Sequence, residues 1–211
     1  MVRRVELRRI DEEGLATLLT VAVADAAPEE VMPPVTGPPG WTTERREAFL
    51  AWHRARRPGL GGSLGESTYA VLHDREVVGS ARLARTDRRD VLETGLWLAR
   101  AQRGRGIGTA ALRALLREAA RAGARAVVAD TTTHNTAALT ALRRNGAVLT
   151  TGTDAGSGTD TGTSSGTDTG SDRDSGRDAA NDGGNDSGGP GEKTGERNGA
   201  VHAELPLRRT G

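Results

Sequence analysis

From Thr151 to Gly199 the chain contains no Val, Leu, Ile, Met, Phe, Tyr or Trp; Gly, Thr, Ser, Asp and Asn fill the stretch. Such a segment cannot bury enough apolar surface to offset the entropy lost on ordering, so it is expected to be disordered. The foldable part of the 211 residues is then 1–150 plus the short, more apolar end 200–211. That is enough chain for one core and one domain. Because strand candidates flank it, the segment 151–199 reads as an overgrown hairpin turn rather than a linker between domains.

Charge divides along the same line. The segment holds 10 acids and 4 bases and the remainder 25 bases and 18 acids, so a net −6 sits beside a net +7. A positive folded part suits a polyanionic ligand. Nucleic acid is not the expected partner, since with Trp 3, Tyr 1 and Phe 1 the chain lacks the aromatic interleaving that single strands stack on. Arg dominates the bases, with Lys193 the single lysine, which reads as compositional bias. The absence of cysteine excludes a disulfide framework, a thiolate metal site and a cysteine nucleophile, and no metal is expected. Charged residues open the chain with no apolar run behind them, and no stretch approaches membrane-spanning length. A soluble, cytoplasmic protein without a membrane partner is the expectation.

Periodicity supplies the element order. Val2 to Ile10 reads as a strand, and Asp11-Glu12-Glu13 opens a helix to about Asp25 with acids in its first turn. Pro28 to Gly40, with five of the eight prolines, reads as a loop. Thr42 or Thr43 caps a second helix to about Arg57, with Glu47 as the expected capping-box partner. Ser67–His73 and Glu76–Thr86 form strands joined by a tight turn, and Val91–Leu98 is a further strand. A helix over 109–122 ends at Gly123; a short apolar strand, Ala126–Asp130, reads as central and buried. Asn135 begins the last helix, and Val148–Thr150 and Ala200–Leu207 are the remaining strands. The order β-α-α-β-β-β-α-β-α-β-β specifies an α/β (α+β) fold with a mixed sheet.

The most specific stretch runs from Glu93-Thr-Gly-Leu-Trp-Leu to Arg103-Gly104-Arg105-Gly106-Ile107-Gly108-Thr109, a strand that turns through three alternate glycines into a helix. Glycine there permits positive φ and close approach of a ligand. The exposed loop N–H groups and the first turn of the helix then form a cradle for phosphate oxygens, with Arg103 and Arg105 adding charge. Gly106-Ile-Gly108-Thr-Ala-Ala111, followed by Asp130 at the end of the next strand, also satisfies a dinucleotide fingerprint and admits an NAD(P)-binding oxidoreductase as an alternative. That fold requires further strand–helix units after this one. The segment 151–199 interrupts them.

The stretch Tyr69–Ala147 resembles the GNAT superfamily of N-acetyltransferases. Glu93–Leu98 and Arg103–Gly108 are similar to that family's fourth strand and pyrophosphate loop. Its Gln/Arg-x-x-Gly-x-Gly/Ala signature matches at Arg103-x-x-Gly106-x-Gly108, and a second register ending at Gly104 and Gly106 places Ala101 where Gln or Arg is usual. Asn135-Thr-Ala-Ala138…Leu142…Gly146-Ala147 resembles the family's Asn-x-x-Ala…Tyr…Gly-Phe helix, with Leu142 in place of tyrosine and Ala147 in place of Phe. The resemblance implies a mostly antiparallel sheet splayed between its fourth and fifth strands and flanked by helices. It also implies acetyl-CoA as cosubstrate and direct transfer to a primary amine in a ternary complex. Family members often dimerise, so a homodimer is open.

Roles for single residues follow. Arg103 to Thr109 and Asn135 are expected to hold the cofactor, and the main-chain N–H of Leu98 is a candidate for the thioester carbonyl. Alternation puts Glu93, Gly95 and Trp97 on one face of the strand. Glu93 is the candidate base, directly or through a water, with an ion pair to Arg82 or Arg100 as its structural alternative. His134 is the candidate proton donor for the thiolate; Tyr69, the single tyrosine, is expected to pack in its strand. Glu66 and Trp41 occur where the family builds its acceptor pocket, as holder of a cationic substrate and as a wall. His53 and His73 read as exposed, and His202 as structural. The missing tyrosine leaves a catalytically inactive acyl-CoA-binding regulator as a further alternative.

Overall fold

The computed structural model describes residues 4–151 and 199–207. The chain parts into two units, 1–153 with 198–211 and 154–197, and every described residue belongs to the first. The expectation of disorder thus falls, but for its end residues Thr151 and Gly199, outside the described residues.

Seven strands form one sheet: β1 (Val5–Arg9), β2 (Glu66–His73), β3 (Glu76–Arg85), β4 (Val91–Leu98), β5 (Ala126–Thr132), β6 (Val148–Thr151) and β7 (Ala200–Pro206). Their spatial order is β1-β2-β3-β4-β5-β7-β6. All neighbours are antiparallel except β4 and β5. The helices are α1 (Glu12–Asp25), α2 (Pro28–Val31), α3 (Thr43–Ala55), α4 (Ile107–Arg121) and α5 (Thr136–Arg144).

Alternation along the strands sorts side chains between two cores. Leu15, Leu18 and Phe49 from α1 and α3 pack with Ala70 and Leu72 of β2. Leu112 and Leu115 of α4 and Leu142 of α5 pack with Val71, Leu83, Leu92 and Val127. The sheet therefore lies between two helical layers.

Local chemistry sets the boundaries. Asp11 caps α1, its Oδ1 accepting from Gly14 N–H at 2.8 Å. The β2–β3 turn is a two-residue hairpin with Asp74 and Arg75 at φ 51° and 73°. Gly79 of β3 is required by close approach: a Cβ there would lie 2.2 Å from the Trp97 carbonyl oxygen.

Several expectations are corrected. Pro28–Gly40 is not loop throughout, because Pro28 at the first helical position opens α2. Thr42 caps α3, so the third helical position is Arg45, not Glu47, and the expected capping box does not form. Arg45 instead donates to the carbonyls of Val35 and Gly40 at 3.0 and 2.8 Å, pinning the proline-rich loop. Helix α4 opens at Ile107, two residues before its expected start. His53 and His73 are buried, 1% and 7% exposed. His53 lies on the inward face of α3 between the rings of Phe49 and Trp52, at 4.6 and 4.7 Å. His73 ends β2 inside the sheet, paired across to Val5 and Glu76.

Candidate active site

The site begins where two strands part. β4 and β5 pair only at Val91–Glu93 with Ala126–Val128, although β4 runs on to Leu98 and β5 to Thr132. Beyond Glu93 the gap opens into a cleft of about 450 Å³, walled by Leu96 and Leu98 on one side and Ala129, Asp130 and Thr131 on the other. Leu112 of α4, Asn135 at the N-cap of α5 and Leu142 in its last turn also line it.

The free edge of β4 is polar. Ala99 N–H donates to Val78 C=O at 2.9 Å. By the alternation of an antiparallel ladder, the main-chain groups of Leu98, Leu96 and Thr94 then turn away from β3, towards the gap. The Leu98 carbonyl accepts from Arg103 Nε at 2.9 Å. Its N–H is left facing the cleft, the position that sequence singled out for a thioester carbonyl.

At the mouth of the cleft stands the glycine loop. Gly104 and Gly106 have φ of 74° and 77°, and a Cβ at either would meet nothing within 4 Å. Gly106 is the N-cap of α4 and provides no side-chain cap. Among the described residues, none of the N–H groups from Gly104 to Thr109 has a protein acceptor; the first amide to find one is Ala110, bonded to Gly106 C=O at 3.1 Å. Six successive unpartnered N–H groups at a helix start form a donor set suited to anionic oxygens. The pyrophosphate of a coenzyme A fits this donor set. Arg105 lies beside the loop, its Nη1 donating to Gln102 Oε1 at 2.6 Å. The loop is anchored from the other layer: Ala101 N–H donates to Asp25 Oδ2 at 2.9 Å, and Arg100 to Glu30 Oε2 at 2.7 Å. Asn135 lines the cleft, its Oδ1 capping α5 through Ala138 N–H at 3.0 Å. Asn145, which sequence passed over, ties α5 to α4 by donating to Thr109 C=O at 3.1 Å.

A second cavity, of about 340 Å³, lies between the sheet and the α2–α3 layer. It shares Glu30, Gly95, Leu96 and Trp97 with the first. The two spaces meet at the middle of β4.

The remaining candidates fall around this junction. Glu93 is paired with Arg82 and does not line either cavity. Glu66 takes Arg56, and Arg82 Nη1 at 3.4 Å, so its carboxylate is engaged by two arginines. Trp41 packs edge-on to Phe49 at 5.7 Å and donates from Nε1 to Ala26 C=O at 2.8 Å, outside both cavity walls. Trp52 of α3 walls the second cavity instead, with the Arg56 guanidinium 3.9 Å above its ring. Their i,i+4 spacing on a helix was the available signal. His134 is exposed and lies outside the cleft wall. Tyr69 is buried in β2 beneath Arg9, 5.6 Å from its ring. His202 Nδ1 lies 2.7 Å from Asp130 Oδ1 at the exposed side of the β5–β7 pair.

The acetyltransferase (GNAT) domain profile matches residues 4–148. The chain belongs to the GNAT acetyltransferases. No curated protein matches it in sequence. Among solved structures, yncA from Salmonella typhimurium, determined with its cofactor acetyl-CoA, is 19% identical with a TM-score of 0.58 over 97% of this chain and 95% of its own. An N-acetyltransferase from Staphylococcus aureus Mu50 is 16% identical, TM-score 0.56, over 97% and 99%. RimL, a ribosomal L7/L12 α-N-protein acetyltransferase in complex with coenzyme A, is 22% identical, TM-score 0.52, over 69% and 81%. The likeness is one of fold. The splayed fourth and fifth strands and the mostly antiparallel sheet agree with GNAT architecture, and the dinucleotide-binding fold, which needs successive strand–helix units, is not the one formed. Among the described residues, no helix is long and apolar enough to cross a membrane.

Proposed function

We propose that this GNAT protein transfers the acetyl group of acetyl-CoA to a primary amine by direct attack in a ternary complex. The observation that carries the reading is the meeting of two cavities at Gly95–Trp97, one running to the unpartnered amides 104–109 and the other entering from the opposite layer. Acetyl-CoA, when bound, supplies the activated thioester.

The amides from Gly104 to Thr109 hold the diphosphate, with Arg103 and Arg105 adding charge. The free edge of β4 accepts the pantetheine arm as an added strand would be accepted. The Leu98 N–H donates to the carbonyl oxygen as negative charge gathers on it. Asn135 borders the arm from the far wall. The amine nitrogen bonds to the acetyl carbon as the carbon–sulfur bond breaks. The amine's proton passes through a water to Glu93, held in place by Arg82. The departing thiolate takes its proton from water or from His134 at the outer end of β5. Glu66 acts here on Arg56 and Arg82 rather than on the acceptor, and Trp41 supports the α2–α3 wall from behind.

Purified protein is assayed for acetyl-CoA binding by calorimetry and for release of CoA thiol with a panel of amines. Binding with amine-dependent thiol release is expected. Folded protein that binds no coenzyme A species overturns the reading. Binding without turnover for any amine supports the acyl-CoA-binding regulator, which Leu142 in the cleft wall favours by bringing no hydroxyl there.

A further inference from the structure

Resting on that reading, we infer that the acceptor is a small amine carrying a carboxylate, an amino-acid-like molecule, and not a polyamine or other polycation. The second cavity has a polarity that its neighbours impose. Arg56 and Arg82 line it, while the two carboxylates that engage them, Glu66 and Glu93, do not.

Neither guanidinium is exhausted by these partners. Arg56 spends Nε on Glu66 and Nη1 on Trp52 C=O at 3.0 Å, leaving Nη2 without a partner among the described residues. Arg82 uses Nη2 on Glu93 and Nη1 on Glu66, leaving Nε. Their side chains are 14% and 28% exposed, and Arg56 is stacked on Trp52, so both are held rigidly. Pre-positioned arginine donors in a partly dry wall suit a carboxylate. Because the paired acids neutralise their long-range field, the attraction acts by hydrogen bonding at contact and depends little on salt.

The other end of the molecule is also specified. Glu30 is the one acid that lines both cavities. Its Oε2 accepts from Ala27 N–H at 2.8 Å and from Arg100 at 2.7 Å, whereas Oε1 has no partner among the described residues. An ammonium arriving at the junction meets Oε1 beside Gly95, while its carboxylate meets Arg56 and Arg82. Met32, Trp52 and Trp97 supply apolar walls for a side chain of moderate size.

The test compares thiol release for α-amino acids, their amides and their decarboxylated amines at matched concentrations. At least one free acid should exceed its amide and amine by about tenfold or more in kcat/KM, since charge-assisted hydrogen bonds are lost with the carboxylate. Arg56→Gln should raise the acceptor KM about tenfold with acetyl-CoA KM unchanged, erasing the preference for acid over amide, and Arg56→Lys should restore part of it. Amides or diamines used as well as the acids, or a preference unchanged in Arg56→Gln, would overturn the inference and leave acetyl transfer standing. Absence of turnover with every amine would remove both. The wild-type panel decides the matter even where the variant fails to fold.

Discussion

Arg103 Nε donates to the carbonyl of Leu98 at 2.9 Å, joining the glycine loop to the last residue of β4. One side chain thereby sets the distance between the diphosphate cradle and the N–H proposed to polarise the thioester. The bond crosses the point at which the chain turns from strand to helix.

Arg103→Met keeps the aliphatic stem and removes that bond. Since Arg103 lies on the surface, the melting temperature should change little, while the KM for acetyl-CoA rises about tenfold, as expected for losing a hydrogen bond from a charged donor. Steady-state kinetics with varied acetyl-CoA would show it; an unchanged KM refutes the positioning role.

Gly106 combines a φ of 77° with the N-cap of α4. Gly106→Ala should cost about 1–2 kcal/mol in stability from the left-handed backbone. Gly106→Val should cost more and fill the cradle, with calorimetric CoA affinity falling further than stability measured by denaturant.

Glu93→Gln preserves shape and hydrogen bonding to Arg82 but cannot take a proton. If Glu93 receives the amine's proton through water, kcat should fall by about 10²-fold or more. The acceptor KM should change little, since Glu93 lines neither cavity. A rate equal to wild type across the pH range removes Glu93 as base.

Burial holds the His53 imidazole down at about 4, from an ordinary 6.5, with the nearby Arg56 charge acting in the same direction. The folded protein therefore keeps His53 neutral where the unfolded chain protonates it. Stability from this group is complete above about pH 6.5 and is lost as pH falls towards about 4, at most roughly 3 kcal/mol at about 1.4 kcal/mol per unit. Urea denaturation at pH 7, 5.5 and 4.5 should show the decline, and His53→Phe should flatten it.

Thr151 and Val201 are cross-strand partners, so β6 ends beside the start of β7. Replacing 152–198 by a short turn should leave acetyl-CoA affinity and melting temperature close to wild type, measured by calorimetry and thermal denaturation. A large loss of either would show that the insertion contributes to the fold or the site.

Sequence alone determined the strand–glycine–helix turn, because that signal is local: three alternate glycines, two arginines and a helical stripe from Leu112 onward act within one stretch of chain. It also determined the order of the strands and of every helix but the one-turn α2, and the two-faced character of β4, since strand periodicity reports which side chains share a face. Only tertiary structure decided what those faces meet. Glu66, read as the holder of a cationic substrate, is engaged by Arg56 and Arg82 from other elements, and of the two arginines open to Glu93 the structure selects Arg82. Trp52 replaces Trp41 as a cavity wall, and His53 is buried, because the rotation of α3 on the sheet is settled by packing against β2 and α1. Glu30 could not be chosen from sequence at all. Its importance comes from lying where two cavities join, and a junction between cavities is a property of chain segments distant in sequence and adjacent in space.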